Sequence, residues 1–162
     1  MKKAVTFSIA VALSSCLGAS AAFAQMVEKA EKRVLTIAGA KAVAAAVAAE
    51  AKKNNVGGAI AVVDDGGNLL YLERLDGTFP AASAVATDKA RTAATFRRPT
   101  RVFEEAVKNG RISIVGVREI TLFQGGVPLV FDGQVIGAVG VSGAASAQQD
   151  DDFATLAAAV IK

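Results

Sequence analysis

Apolar and polar positions change period several times along this 162-residue chain, and each change marks an element. After the charged lead-in VEKAEKRV, Ile37, Val43 and Val47 recur at helical spacing within an alanine-rich stretch. With Thr36 as N-cap and NNVGG as a stop, a helix is predicted from Ile37 to about Asn54. Ala59 to Val63 and Leu69 to Arg74 read as strands of a hairpin, joined by a Gly/Asp/Asn loop longer than two residues. Helical spacing returns after Pro80: Ala82, Ala86, Ala90 and Ala94 form a small-residue face suited to close approach to a sheet, and Val85, Lys89, Thr92 and Phe96 form a larger one. Pro99 opens a short helix, TRVFEEAVKNG, stopped by Asn109-Gly110. RISIVGVREITLF has the β-branched content of a strand, but Gly116 interrupts it and leaves its structure open. Val127 to Phe131 and Gln134 to Ser142 are strand-like runs across the two-residue turn Asp132-Gly133. Ser146 and Gln149 make a capping box for a last helix, with Phe153, Leu156, Ala157 and Val160 as its expected buried face.

The strands fall in antiparallel pairs rather than alternating with helices. That order predicts an α+β domain, an antiparallel sheet covered by helices, and excludes a doubly wound parallel sheet. Ahead of it, MKKAVTFSIAVALSSCLGASAAFAQ has the basic start, apolar middle and Ala22-Phe23-Ala24 site of a signal peptide, so residues 1–24 are expected to be cleaved and 25–162 to form a single periplasmic or secreted domain. The apolar run is too short for a permanent membrane anchor, which leaves no integral membrane segment in the mature chain. Leu13-Ser14-Ser15-Cys16 also fits the pattern of a lipoprotein cut before a lipid-modified cysteine, an alternative processing. Cleavage after Ala24 removes Cys16, the only cysteine, so stability must come from packing rather than a disulfide. It also removes Lys2 and Lys3 from a net charge of +3, which argues against nucleic acid as a partner.

Candidate chemistry is constrained by the absence of histidine. Neither Ser142 nor Ser83 can belong to a Ser-His-Asp triad. Gly137-x-x-Gly140-x-x-Gly143 matches no phosphate-loop pattern, and its place in a strand points to close backbone approach. Asp150, Asp151 and Asp152 occupy the first turns of the last helix, where they suit the helix dipole and would repel a phosphate; they read as a solvated helix start or, alternatively, as oxygen ligands for iron or calcium. Arg74 and Asp76, at a strand end, can form a turn-stabilising ion pair or a pocket rim. Lys89 can snorkel, or face a ligand carboxylate. Arg97, Arg98 and Arg101 cluster at a helix break, either solvated or binding an anion.

Taken in order, AVVDDGGNLLYLERLDG, TDKARTAATF, GGVP, GAVGVSG and the QD preceding Ala154 resemble the GlcG/HbpS family of haem-binding and haem-degrading domains, over about Leu35 to Ile161. The resemblance implies a profilin-like three-layer domain with a central antiparallel sheet flanked by helices, a homo-oligomer from dimer to octamer, and haem or another small-molecule ligand. It places the ligand-binding positions at Arg74, Asp76, Lys89, Gly125, Gly126 and Asp150. In that reading Arg74 and Lys89 pair with haem propionates. The sequence departs from the family at Gln124, where proline is common, and in having no histidine for the iron; Tyr71, a lysine or Met26 would have to replace it, tyrosine being a known axial ligand type. An enzyme or detoxifying accessory protein acting on a small organic acid or reactive carbonyl is the alternative, with Lys89 or Asp150 moving the proton. A purely structural assembly without ligand is a third.

Overall fold

The computed structural model describes residues 31–161; the expected signal peptide with Cys16, and Met26 as a substitute iron ligand, lie outside the described residues. From residue 33 onward the chain makes one compact unit. Its elements run α1 (Ile37–Lys53), β1 (Ala59–Asp64), β2 (Leu69–Arg74), α2 (Ala82–Phe96), α3 (Arg101–Lys108), a 3-10 turn (Ile112–Gly116), β3 (Gly126–Phe131), β4 (Gln134–Ser142) and α4 (Ala147–Ala158). The four strands form one sheet in the order β2-β1-β4-β3, with every pairing antiparallel. This is the α+β, helix-flanked antiparallel architecture expected from the sequence.

Local chemistry sets most of these boundaries. The Thr36 hydroxyl accepts the Gly39 N–H at 3.1 Å, and Ser146 does the same for Gln149 at 3.1 Å, while the Gln149 side chain returns to the Ala145 N–H at 2.9 Å. Asp132 and Gly133 both have positive φ, 48° and 74°, the geometry that turns β3 into β4 in two residues. The Asp64 carboxylate accepts the N–H groups of Gly66 and Asn68 at 2.9 and 2.8 Å and so organises the β1–β2 loop.

Alternation along the strands feeds two cores. Ile60, Val62, Leu129, Val139 and Val141 pack under α1 and α4 with Val43, Val47 and Phe153. Each such side chain contributes about 1.5–3 kcal/mol by leaving water. The opposite face presents Ala59, Ala61, Val63 and Ala138 to Ala82, Ala86, Ala90, Ala93 and Ala94 of α2. Small side chains on both sides let this helix settle directly on the sheet, as its alanine face predicted.

The expected apolar faces of the first and last helices need correction, and the open stretch takes a definite form. Ile37, Leu156 and Val160 are exposed, because α1 and α4 meet through small residues such as Ala40, Ala44, Ala154 and Ala157, and a larger side chain would hold the helices apart. RISIVGVREITLF forms no strand: Ile112–Gly116 is a 3-10 turn followed by irregular chain. Thr100 precedes α3 but makes no side-chain cap to that helix. No helix among the described residues is long and apolar enough to cross a membrane.

Candidate functional site

Lys89 and Asp150 meet in the interior. Lys89, on the third turn of α2, is 2% exposed and Asp150, in the first turn of α4, is 5% exposed. The Lys89 ammonium donates to Asp150 Oδ2 at 2.9 Å and to the Val141 carbonyl at 2.8 Å. The second carboxylate oxygen, Oδ1, accepts the Ala144 N–H at 3.0 Å, so both groups are held by hydrogen bonds as well as by charge. Gly125 and Gly126 complete the closure. A side chain at Gly125 would lie 2.8 Å from the Val141 carbonyl and 2.9 Å from the ammonium, and one at Gly126 would lie 2.4 Å from the Lys89 carbonyl.

Next to this pair, side chains clamp the irregular segment that leads into β3. Asp151 binds the Arg101 guanidinium at 2.9 Å through Oδ2 and accepts the Gly125 N–H at 3.2 Å through Oδ1. Thr100 and Gly126 bond reciprocally, the Gly126 N–H to the threonine hydroxyl at 2.9 Å and the Thr100 N–H to the Gly126 carbonyl at 2.9 Å. The buried Thr92 hydroxyl accepts the Thr121 N–H at 2.9 Å and donates to the Glu119 carbonyl at 3.3 Å. Glu104 accepts the Gln124 N–H at 2.8 Å.

Partial burial pushes the Glu104 carboxyl up, but the hydrogen bonds from Lys108 and Gln124 and the Lys108 charge outweigh it and hold the group below its ordinary value of 4.5. A carboxyl more acidic folded than unfolded adds stability that is complete above the unfolded value and is lost as pH falls through the folded one. Glu104→Gln is therefore expected to flatten the acid limb of stability below about pH 4.5, read by urea unfolding across pH; an unchanged acid limb would show that Glu104 does not anchor the segment.

The expected site residues are thus divided. Lys89, Gly125, Gly126 and Asp150 come together, but as a closed, mutually satisfied centre: Lys89 does not snorkel but turns inward onto Asp150, and Asp150 and Asp151 are not a solvated helix start. Only Asp152 of the three is exposed, accepting from Gln148 at 3.0 Å. No cluster of potential metal ligands is present among the described residues. Arg74 and Asp76 are exposed and form no ion pair with each other; Arg74 sits on edge strand β2, two strands from β4. The Tyr71 hydroxyl donates to Glu73 Oε2 at 3.0 Å, and that bond, with the Glu73 charge and burial behind it, raises the phenol above its ordinary value of 10.0. The phenolate that iron would need is therefore disfavoured. Of the arginine cluster, Arg97 and Arg98 are exposed, and Arg101 is engaged by Asp151.

Sequence reasoning missed Thr100 and Glu104, whose bonds reach residues 26 and 20 positions away. It also missed an open cleft of about 520 Å³ between α2 and residues 118–121. Arg91, Thr95 and Phe96 line one wall, and Arg118, Glu119 and Thr121 the other.

Comparison with known proteins bears on this arrangement. Residues 35–159 match the family model described as haem degrading protein HbpS-like. Protein GlcG of Escherichia coli K12 is 51% identical over 111 residues, 68% of this chain and 83% of GlcG. The crystal structure of HbpS superposes with a TM-score of 0.75 at 30% identity, covering 83% of this chain and 95% of HbpS. The crystal structure of the PduOC haem complex superposes with a TM-score of 0.71 at 27% identity, covering 80% of this chain and 96% of PduOC.

Proposed function

The chain belongs to the family of haem degrading protein HbpS-like domains, and from that premise we propose that it is an exported haem-binding protein with a part in haem or iron handling. The observation that carries this reading is the likeness, over nearly the whole PduOC chain, to a fold crystallised with haem. Haem, when bound, would supply a redox-active iron. The protein side of the contact differs from a histidine-ligated site. The chain has no histidine, Tyr71 is tied to Glu73, and Lys89 is tied to Asp150. Binding then rests on the porphyrin's flat apolar body and its carboxylates, which exposed arginines can hold without an axial protein ligand. The buried pair also bears on the enzyme alternative, because neither Lys89 nor Asp150 lines the cleft between α2 and residues 118–121. Export rests on the leader sequence, and we propose cleavage after Ala24.

The test is a haemin titration of the purified protein, on material whose start has been read by intact mass. A saturable shift of the Soret band at fixed stoichiometry is expected, from a chain beginning at Gln25. A featureless, non-saturating response would retire the haem reading. A chain retaining its leader, or a lipid-modified Cys16, would overturn cleavage at Ala24.

A further inference from the structure

The cleft between α2 and residues 118–121 is separate from the closed Lys89–Asp150 centre, and its chemistry differs. Asp88, Arg91, Thr92, Thr95 and Phe96 follow one another at helical spacing along a single stripe of α2, the helix whose alanine face packs directly on the sheet. One wall is therefore rigid. The facing wall is irregular chain, yet Thr92 fixes it through both of its hydroxyl bonds, to Thr121 and Glu119. The two walls thus hold a set spacing without any ligand between them.

Two cations face this space with different commitments. Arg91 gives Nε to the Gly67 carbonyl at 3.4 Å and one terminal nitrogen to Asp88 at 3.1 Å. Arg118 has no hydrogen-bond or ion-pair partner among the described residues, so its whole planar fork is available to a carboxylate. Phe96 lies beside them, half-buried and braced edge-on by Phe103 with ring centroids 5.4 Å apart. Asp88 and Glu119 balance the two arginines within the cleft. That balance disfavours a compact polyanion such as a nucleotide phosphate and favours a carboxylate carried on an apolar body.

We propose that this cleft binds the carboxylate edge of a flat, largely apolar organic acid, with Arg118 as its principal cation and Phe96 as its apolar wall. Naming that acid as a porphyrin rests on the haem reading above; the cleft's own chemistry requires only the carboxylate and the flat body.

Metal-free protoporphyrin IX, followed by its own emission, and haemin, followed by absorbance, would be titrated into wild type, Arg118→Ala and Arg111→Ala. Arg118 is exposed and unpartnered, so the variant should melt with wild type. The expected result is about tenfold weaker binding of both probes by Arg118→Ala, the loss of one charge-assisted hydrogen-bonded contact, with Arg111→Ala, at an exposed arginine outside the cleft, unchanged. Protoporphyrin dimethyl ester, which lacks the free carboxylates, should bind wild type and Arg118→Ala alike. Haemin binding that ignores Arg118 would leave the haem reading intact and overturn the cleft. Protoporphyrin binding that depends on Arg118, without any haemin binding, would retire the haem reading and keep the cleft. Wild type that binds neither probe overturns both.

Discussion

Lys89→Met is expected to destabilise the domain by about 3–5 kcal/mol, a large share of the roughly 5–15 kcal/mol that holds a domain together. The size follows from what the substitution leaves behind. Methionine fills most of the space of the lysine stem, so little packing is lost, but Asp150 at 5% exposure keeps its charge and loses the ammonium 2.9 Å away. The Val141 carbonyl loses the same donor. Removing both charges should recover much of the loss: Lys89→Met with Asp150→Asn leaves an oxygen to accept the Ala144 N–H and no uncompensated carboxylate in the interior. Urea unfolding of the two single variants and the double variant measures the coupling directly. A cost below about 1 kcal/mol for Lys89→Met would mean that water or another cation reaches Asp150, and the closed centre would have to be redrawn.

This pair also shows where sequence reasoning stops. The hairpin at Asp132-Gly133, the Thr36 cap and the Ser146–Gln149 capping box were legible because each is decided within four residues by backbone conformation and a local hydrogen bond. The fate of the aspartates was not. Asp150 and Asp151 look like a solvated helix start in sequence, and they become buried because Lys89 and Arg101, 61 and 50 residues earlier, arrive beside them. The stretch after Gly110 reads partly as a strand for a related reason. Its β-branched residues are real, but it and the chain running into β3 are held by Thr92, Glu104 and Asp151 on three different helices and by Thr100 just ahead of α3, and no periodicity of its own records them. The candidate cleft inherits this blindness, since one wall is an ordinary helical stripe and the other is irregular chain pinned to it by Thr92.

Gly140→Ala is expected to be the most damaging single-methyl change, at about 3 kcal/mol or more, although alanine is the smallest possible insertion. A Cβ there would stand 2.0 Å from the Ala86 carbonyl oxygen and 2.6 Å from the Ala90 nitrogen. Both are backbone atoms of α2, so no rotamer change relieves the clash; the helix itself must lift from the sheet. Gly116 supplies the contrast. Nothing lies within 4 Å of a Cβ at that position, and Gly116→Ala should be neutral within about 0.5 kcal/mol. Gly140 therefore records how closely helix and sheet approach, whereas Gly137 is set against the Val63 carbonyl of the neighbouring strand, and neither belongs to a phosphate cradle. The same contact sets the height of Lys89, one turn further along α2, above Val141. Lifting the helix would lengthen the ammonium's bonds to Val141 and Asp150, so Gly140→Ala and Lys89→Met should cost less together than the sum of their separate effects. Strict additivity, or tolerance of Gly140→Ala within about 1 kcal/mol, would show instead that α2 can recede without disturbing the buried pair.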